Sequence, residues 1–161
     1  MNNMKKTIHA EASEVIDAPA ATLYAIIADY RVGHPAIVPK PTFGDLTVEV
    51  GGKGAGTVIR GTLTAFGKTY PLHQRVTEPE PGHVLKETDI ESGQYTTFTF
   101  EPLNNGQQTR VTIASEFPYP PGLVGFMQNL MLPSFARKLY IQELQNLAAY
   151  VQTQAVSAPA Y

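Results

Sequence analysis

The chain has 161 residues and 17.5 kDa, with 12 Lys+Arg against 14 Asp+Glu, a formal net charge of −2. That length fits one domain burying roughly two-thirds of its unfolded surface, and a near-neutral balance without a basic run gives no electrostatic footprint for nucleic acid. Zero cysteines exclude a disulfide scaffold, an iron–sulfur site, a thiolate zinc site and a Cys nucleophile, and agree with a cytoplasmic location.

Residues 1–15 carry two lysines followed by alternating polar residues, with no apolar run, and do not read as a signal peptide. From 8 to 16 the chain alternates as a half-buried strand, with Ile8, Ala10, Ala12, Glu14 and Ile16 on one face. Asp17-Ala18-Pro19 then opens a short helix, Asp17 offering its carboxylate to the free N–H groups. Leu23, Tyr24, Ile26 and Ile27 form its apolar side, and it ends near Asp29. Any second helix, between Gly33 and Pro41, must be brief among Pro35, Pro39 and Pro41.

From Phe43 to Phe117 the pattern is almost all strand. Segments 46–50, 57–66, 69–77, 84–90, 95–101 and 110–117 are β-branched, aromatic or alternating. Between them lie Gly51 to Gly56, Gly67-Lys68, Glu78-Pro79-Glu80-Pro81-Gly82, Ser92-Gly93 and Asn104-Asn105-Gly106. The glycine run 51–57 is not a phosphate loop, because a strand follows it where a helix N-terminus must stand.

The last third changes period. Leu132, Phe135, Leu139, Tyr140, Leu144, Leu147 and Val151 recur at helical spacing. Pro133 starts or kinks this helix, with 123–132 as a helical lead-in too short and too interrupted to span a bilayer, so no stable membrane insertion is expected. Residues 153–161 read as a frayed tail. The expected fold is α+β: a seven-stranded curved antiparallel sheet, two short helices between strands 1 and 2, and one long C-terminal helix. A curved sheet wrapped on a single helix leaves a pocket beside it.

These elements resemble the START-like, helix-grip superfamily, which includes polyketide cyclases, lipid-transfer domains and the birch-pollen-allergen type. The resemblance rests on Ile16-Asp17-Ala18-Pro19-Ala20 leading into Leu23 and Asp29, on Gly54–Gly56, on Arg75-Val76-Thr77-Glu78-Pro79-Glu80-Pro81-Gly82, and on Thr109-Arg110-Val111-Thr112. It covers about residues 6 to 152 as one domain. It implies a cavity between sheet and long helix, gated by the early helices and the strand-connecting loops. No residue carries over from it as catalytic.

Alternation selects the pocket wall. With Val76 inward, Gln74, Leu72 and Tyr70 follow; Val111 and Ile113 bring Ser115 and Phe117; Phe100 brings Phe98 and Thr96. The third strand offers two faces, and the one carrying Arg60 and Thr62 is taken as inward. Glu87 joins Leu85, and Phe135 and Leu139 cover the space from the helix. The expected ligand contacts are therefore Arg60, Thr62, Leu72, Gln74, Glu87, Thr96, Phe98, Ile113, Phe135 and Leu139, and the resemblance implies that His34 sits where the family's pocket mouth lies.

Charges inside an apolar face need a reason. Arg60 neutralises Glu14 or Glu87 as a structural pair, or the group fixes the polar end of a ligand, or Glu and Arg act as acid–base groups. The four histidines are scattered without metal-ligand spacing, so no metal and no cofactor is expected. The leading expectation is binding of a small, mostly apolar molecule, a lipid or polyketide-like compound. The alternatives are a cyclase, aromatase or dehydratase, and a protein-interaction, chaperone-associated domain using the apolar 123–132 segment. Monomer and homodimer are both left open.

Overall fold

Ile8, Ala10, Ala12 and Ile16 are buried on one face of β1 (Thr7–Ile16), while the residues between them meet solvent. This is the period-2 burial of a sheet covered on one side. The computed structural model describes residues 5–157. After β1 come α1 (Ala20–Ala28), α2 (Gly33–Ile37), β2 (Thr47–Val50), β3 (Val58–Ala65), β4 (Lys68–Glu80), β5 (Val84–Asp89), β6 (Tyr95–Leu103), β7 (Gln108–Pro118) and α3 (Gly122–Ser157). The seven strands form one antiparallel sheet in the order β1-β7-β6-β5-β4-β3-β2. The meander returns its last strand to β1, and the sheet curves around α3 in the helix-grip arrangement.

At 36 residues, α3 is about 54 Å long. Its second half buries Ala136, Leu139, Tyr140, Leu144, Leu147 and Val151 in one core with Phe98, Phe100, Val111 and Ile113. Pro133 lies inside the helix instead of starting it. Lacking an N–H, it leaves the Asn129 carbonyl without its helical partner. Burial changes at the same place: Leu123, Val124, Phe126, Met127, Leu130 and Met131, all before the proline, are exposed. Beyond residue 152 the helix continues to Ser157. Thr153 Oγ1 and Ser157 Oγ donate back to the Tyr150 and Thr153 carbonyls and satisfy the last turns. Residues 158–161 of the expected tail, and 1–4 of the N-terminal reading, lie outside the described residues. Among the described residues no helix is long and apolar enough to cross a membrane.

The turns position the site. The β3–β4 reversal centres on Phe66-Gly67, both left-handed at φ 51° and 75°, with Ala65 facing Lys68. That is the two-residue hairpin geometry, one residue earlier than the glycine alone indicates. Between β2 and β3 the glycine run docks onto the early helices: Gly54 N–H donates to the Ala28 carbonyl and Tyr30 N–H to the Gly52 carbonyl, each at 2.9 Å. Asp17 does not cap α1. The cap position is Pro19, which has no side-chain acceptor, and the Asp17 carboxylate accepts instead from the Gln108 amide.

Gly33 sets the corner between α1 and α2. A Cβ there would fall 2.2 Å from the Ile26 carbonyl oxygen, a backbone atom that cannot rotate aside. Gly33→Ala is expected to destabilise the fold by about 1–3 kcal/mol through overpacking, read as a lower urea midpoint. An unchanged midpoint would show that the corner yields freely.

Candidate functional site

Antiparallel register decides which side chains meet. Cross-strand partners share a sheet face, and Ile59 pairs with Gln74, Gly61 with Leu72 and Leu63 with Tyr70. Once Gln74 and Leu72 face inward, the odd-numbered residues of β3 must follow. Ile59 is buried and Leu63 half-buried, while Arg60, Thr62 and Thr64 are exposed. The expectation for Arg60 and Thr62 is therefore corrected: they stand on the opposite face. The Arg60 side chain is 53% exposed and paired with Glu49, not with Glu14 or Glu87. Glu14 is itself exposed, with no ion pair among the described residues.

Two adjoining spaces lie between the sheet and α3. The inner chamber, about 80 Å³, is bounded by the α2 end, by β3 to β7 and by the middle of α3. Of the expected contacts, Leu72, Gln74, Glu87, Thr96, Phe98, Ile113, Phe135 and Leu139 line it, together with His34. The outer pocket, about 570 Å³, opens between the Phe66 hairpin, the β5–β6 turn and the first half of α3. Arg60 borders only this outer space. Leu63, Leu72, Gln94, Phe117, Leu132 and Phe135 line both spaces and form the neck between them. Phe66 closes on Phe135 across the mouth, their ring centroids 4.9 Å apart.

The inner end is polar. Glu87 and Glu143 are 6% and 4% exposed. The Tyr30 hydroxyl donates to Glu87 Oε1 at 2.7 Å. His34 Nε2 stands 3.5 Å from the same oxygen. Because the Ile27 carbonyl can only accept, His34 Nδ1, 2.8 Å from it, carries a proton. The imidazole is further fixed by stacking on Tyr30 at 4.6 Å and by an edge contact with Phe98 at 5.8 Å. On the other side, Tyr140, Ser115 and Thr96 join their hydroxyls in a chain. Burial holds the Tyr30 phenol well above its usual range and pushes Tyr140 up to about 12.

Glu143 is the exception. Its Oε1 is buried without a hydrogen-bond partner among the described residues. Burial, and then the neighbouring charge of Glu87, push its carboxyl up to about 8. It is therefore a neutral acid near pH 7. Glu143, Tyr30 and Tyr140 were not among the expected contacts. Glu143 falls on the helical face of Ala136, Tyr140 and Leu147, at spacings of three and four, and that position was the available clue. Among the described residues no group of three or more His, Asp or Glu side chains is placed to hold a metal ion.

The chain matches, over residues 7–152, the family model for polyketide cyclase / dehydrase and lipid transport. It is similar to the solved structure of the KanY protein, at 26% identity and a TM-score of 0.78, covering 91% of this chain and 99% of that one. It also resembles the Zhui aromatase/cyclase from Streptomyces sp. R1128, with 16% identity, TM-score 0.76 and coverage of 97% and 100%. A START superfamily protein from Mycobacterium smegmatis gives 14% identity, TM-score 0.70 and coverage of 92% and 99%. The last two likenesses are of fold alone. No curated protein matches the chain.

Proposed function

The chain belongs to the polyketide cyclase / dehydrase and lipid transport family, and from that premise we propose that it binds a small, mostly apolar molecule head first. The ligand's body occupies the outer pocket, and its one polar end reaches Glu143, Glu87 and Gln74 in the inner chamber. A cavity with apolar walls and an unpartnered carboxyl at its closed end carries this reading. Apolar walls supply affinity, and a few placed polar groups supply orientation.

The test is native mass spectrometry and organic extraction of freshly purified protein, beside Leu72→Trp, which fills the neck. The wild type should release a small apolar compound and Leu72→Trp should carry at least tenfold less. Equal loading of a folded Leu72→Trp protein would refute binding in this cavity.

A neutral acid beside a His–Glu pair also favours a second reading, cyclase-, aromatase- or dehydratase-type catalysis. Glu143 would then protonate a carbonyl oxygen while the His34–Glu87 pair takes a proton from carbon. On this reading Glu143→Gln lowers turnover of an identified ligand by at least about a hundredfold, the usual scale for a general acid or base. Turnover at the wild-type rate would dispose of it.

A further inference from the structure

We propose that the inner chamber is a receptor for an ammonium group, so that the ligand is an apolar body ending in a primary or secondary amine seated against Glu143. This rests on the ligand-binding reading of the same cavity and names the chemistry of its polar end.

The argument begins with charge. The chamber holds two carboxyl groups and one imidazole, and no lysine or arginine lines it. The imidazole is already engaged: Nδ1–H is given to the Ile27 carbonyl, and Nε2 faces Glu87 Oε1. Glu87 thus faces the His34 ring and also receives the Tyr30 hydroxyl. Glu143 has no counterpart. Its own helix offers only Tyr140, whose hydroxyl is tied to Ser115. The titratable groups facing it are thus Glu87 from β5, His34 from α2, Tyr30 from the segment before α2, and Tyr140 from α3.

A carboxylate in such a place cannot remain ionised without a cation. Without a ligand cation a proton fills that role, and Glu143 holds it up to about pH 8. A ligand ammonium supplies the same charge with three N–H donors if primary and two if secondary, enough to bond Glu143 Oε1 and still reach a second acceptor. The aromatic walls assist, since Phe98, Phe135 and Tyr140 line the chamber and ring faces attract cations. The volumes agree too: about 80 Å³ suits a compact head, and about 570 Å³ beyond the neck takes the body. Binding then exchanges one cation for another. The ammonium enters with its charge, Glu143 ionises, and one proton leaves for solvent.

The probes are 2-naphthylmethylamine and its neutral counterpart 2-naphthalenemethanol, titrated calorimetrically into the full chain from pH 6 to 8. With Glu143 titrating near 8, amine affinity should rise about 50-fold across that range. One proton should be released per bound amine near pH 7, measured from buffers of different ionisation enthalpy. The alcohol should show no such rise. Glu143→Gln keeps the shape and removes the charge; it should abolish the pH rise and weaken the amine at least tenfold at pH 8. Alcohol binding with an amine no tighter at pH 8 than at pH 6 overturns the amine assignment and leaves the pocket standing. Failure of both probes to bind overturns both readings.

Discussion

Glu143→Gln is expected to remove a loss of stability that the wild type suffers between pH 5 and 8. The sign follows from which state holds the proton. Unfolded, the Glu143 carboxyl titrates near the ordinary glutamate value of 4.5; folded, burial and then Glu87 raise it to about 8. Between those values the native state keeps a proton that the unfolded state has released, so rising pH favours unfolding. The contribution is fully present below about pH 4.5 and lost as pH passes 8. The slope is about 1.4 kcal/mol per pH unit, with a ceiling of roughly 5 kcal/mol across the window. The carboxyls of Glu49, Glu78, Asp29, Asp89 and Glu116 are held below their usual range, and His9 is raised by its hydrogen bond to Glu116. Both proteins share those groups, so the difference between them isolates position 143. Urea unfolding of wild type and variant at pH 5, 6, 7 and 8 gives the measurement, and parallel pH curves would contradict it.

Two phenylalanines separate core from pocket wall. Phe98 is 2% exposed, packed among core residues and set edge-on to His34. Phe98→Ala is expected to cost about 3–5 kcal/mol, the transfer free energy of a ring plus the cavity it leaves. Phe135 is half-buried and borders space on both sides of the neck. Its removal creates little new void, so Phe135→Ala should cost no more than about 1–2 kcal/mol, mainly the contact with Phe66. Ligand release should rank the two variants the other way: Phe135→Ala opens the mouth and should speed dissociation more than Phe98→Ala does. Denaturation of both variants decides the matter. Equal large losses would mean that the neck is packed as core.

The sheet and its helix were legible because burial on one side writes alternation into β1, β4, β6 and β7, and glycine or Asn-Gly turns punctuate it. The face of β3 was not, because both of its faces carry apolar and β-branched residues. Only the pairing of Ile59 with Gln74 and Gly61 with Leu72 orients it. Register is a long-range property, and no local pattern contains it. Glu143 was hidden for another reason. A single acid among Tyr140, Leu144 and Leu147 reads as a solvated position until the helix is known to be enclosed on that side. Tyr30 and His34 sit in a proline-bounded segment with too few residues for periodicity. Their side chains are buried against Glu87 and Phe98 of the sheet, a long-range packing that no pattern in 30–34 reports.

On the proposed binding reading, the neck between the two spaces has a practical consequence. Recognition divides into a strict half and a lenient half. Around the enclosed end, one misplaced atom leaves a dipole or charge stranded, and discrimination is steep. Beyond Phe135 the α3 side offers Met127 and Met131, while Asp89, Glu91 and Ser92 border the open rim, and unbranched thioethers reshape easily around different outlines. Compounds sharing a terminus but differing in bulk should therefore be accepted as one series. A screen guided by overall shape would scatter its hits, whereas one guided by the terminal functional group would collect them.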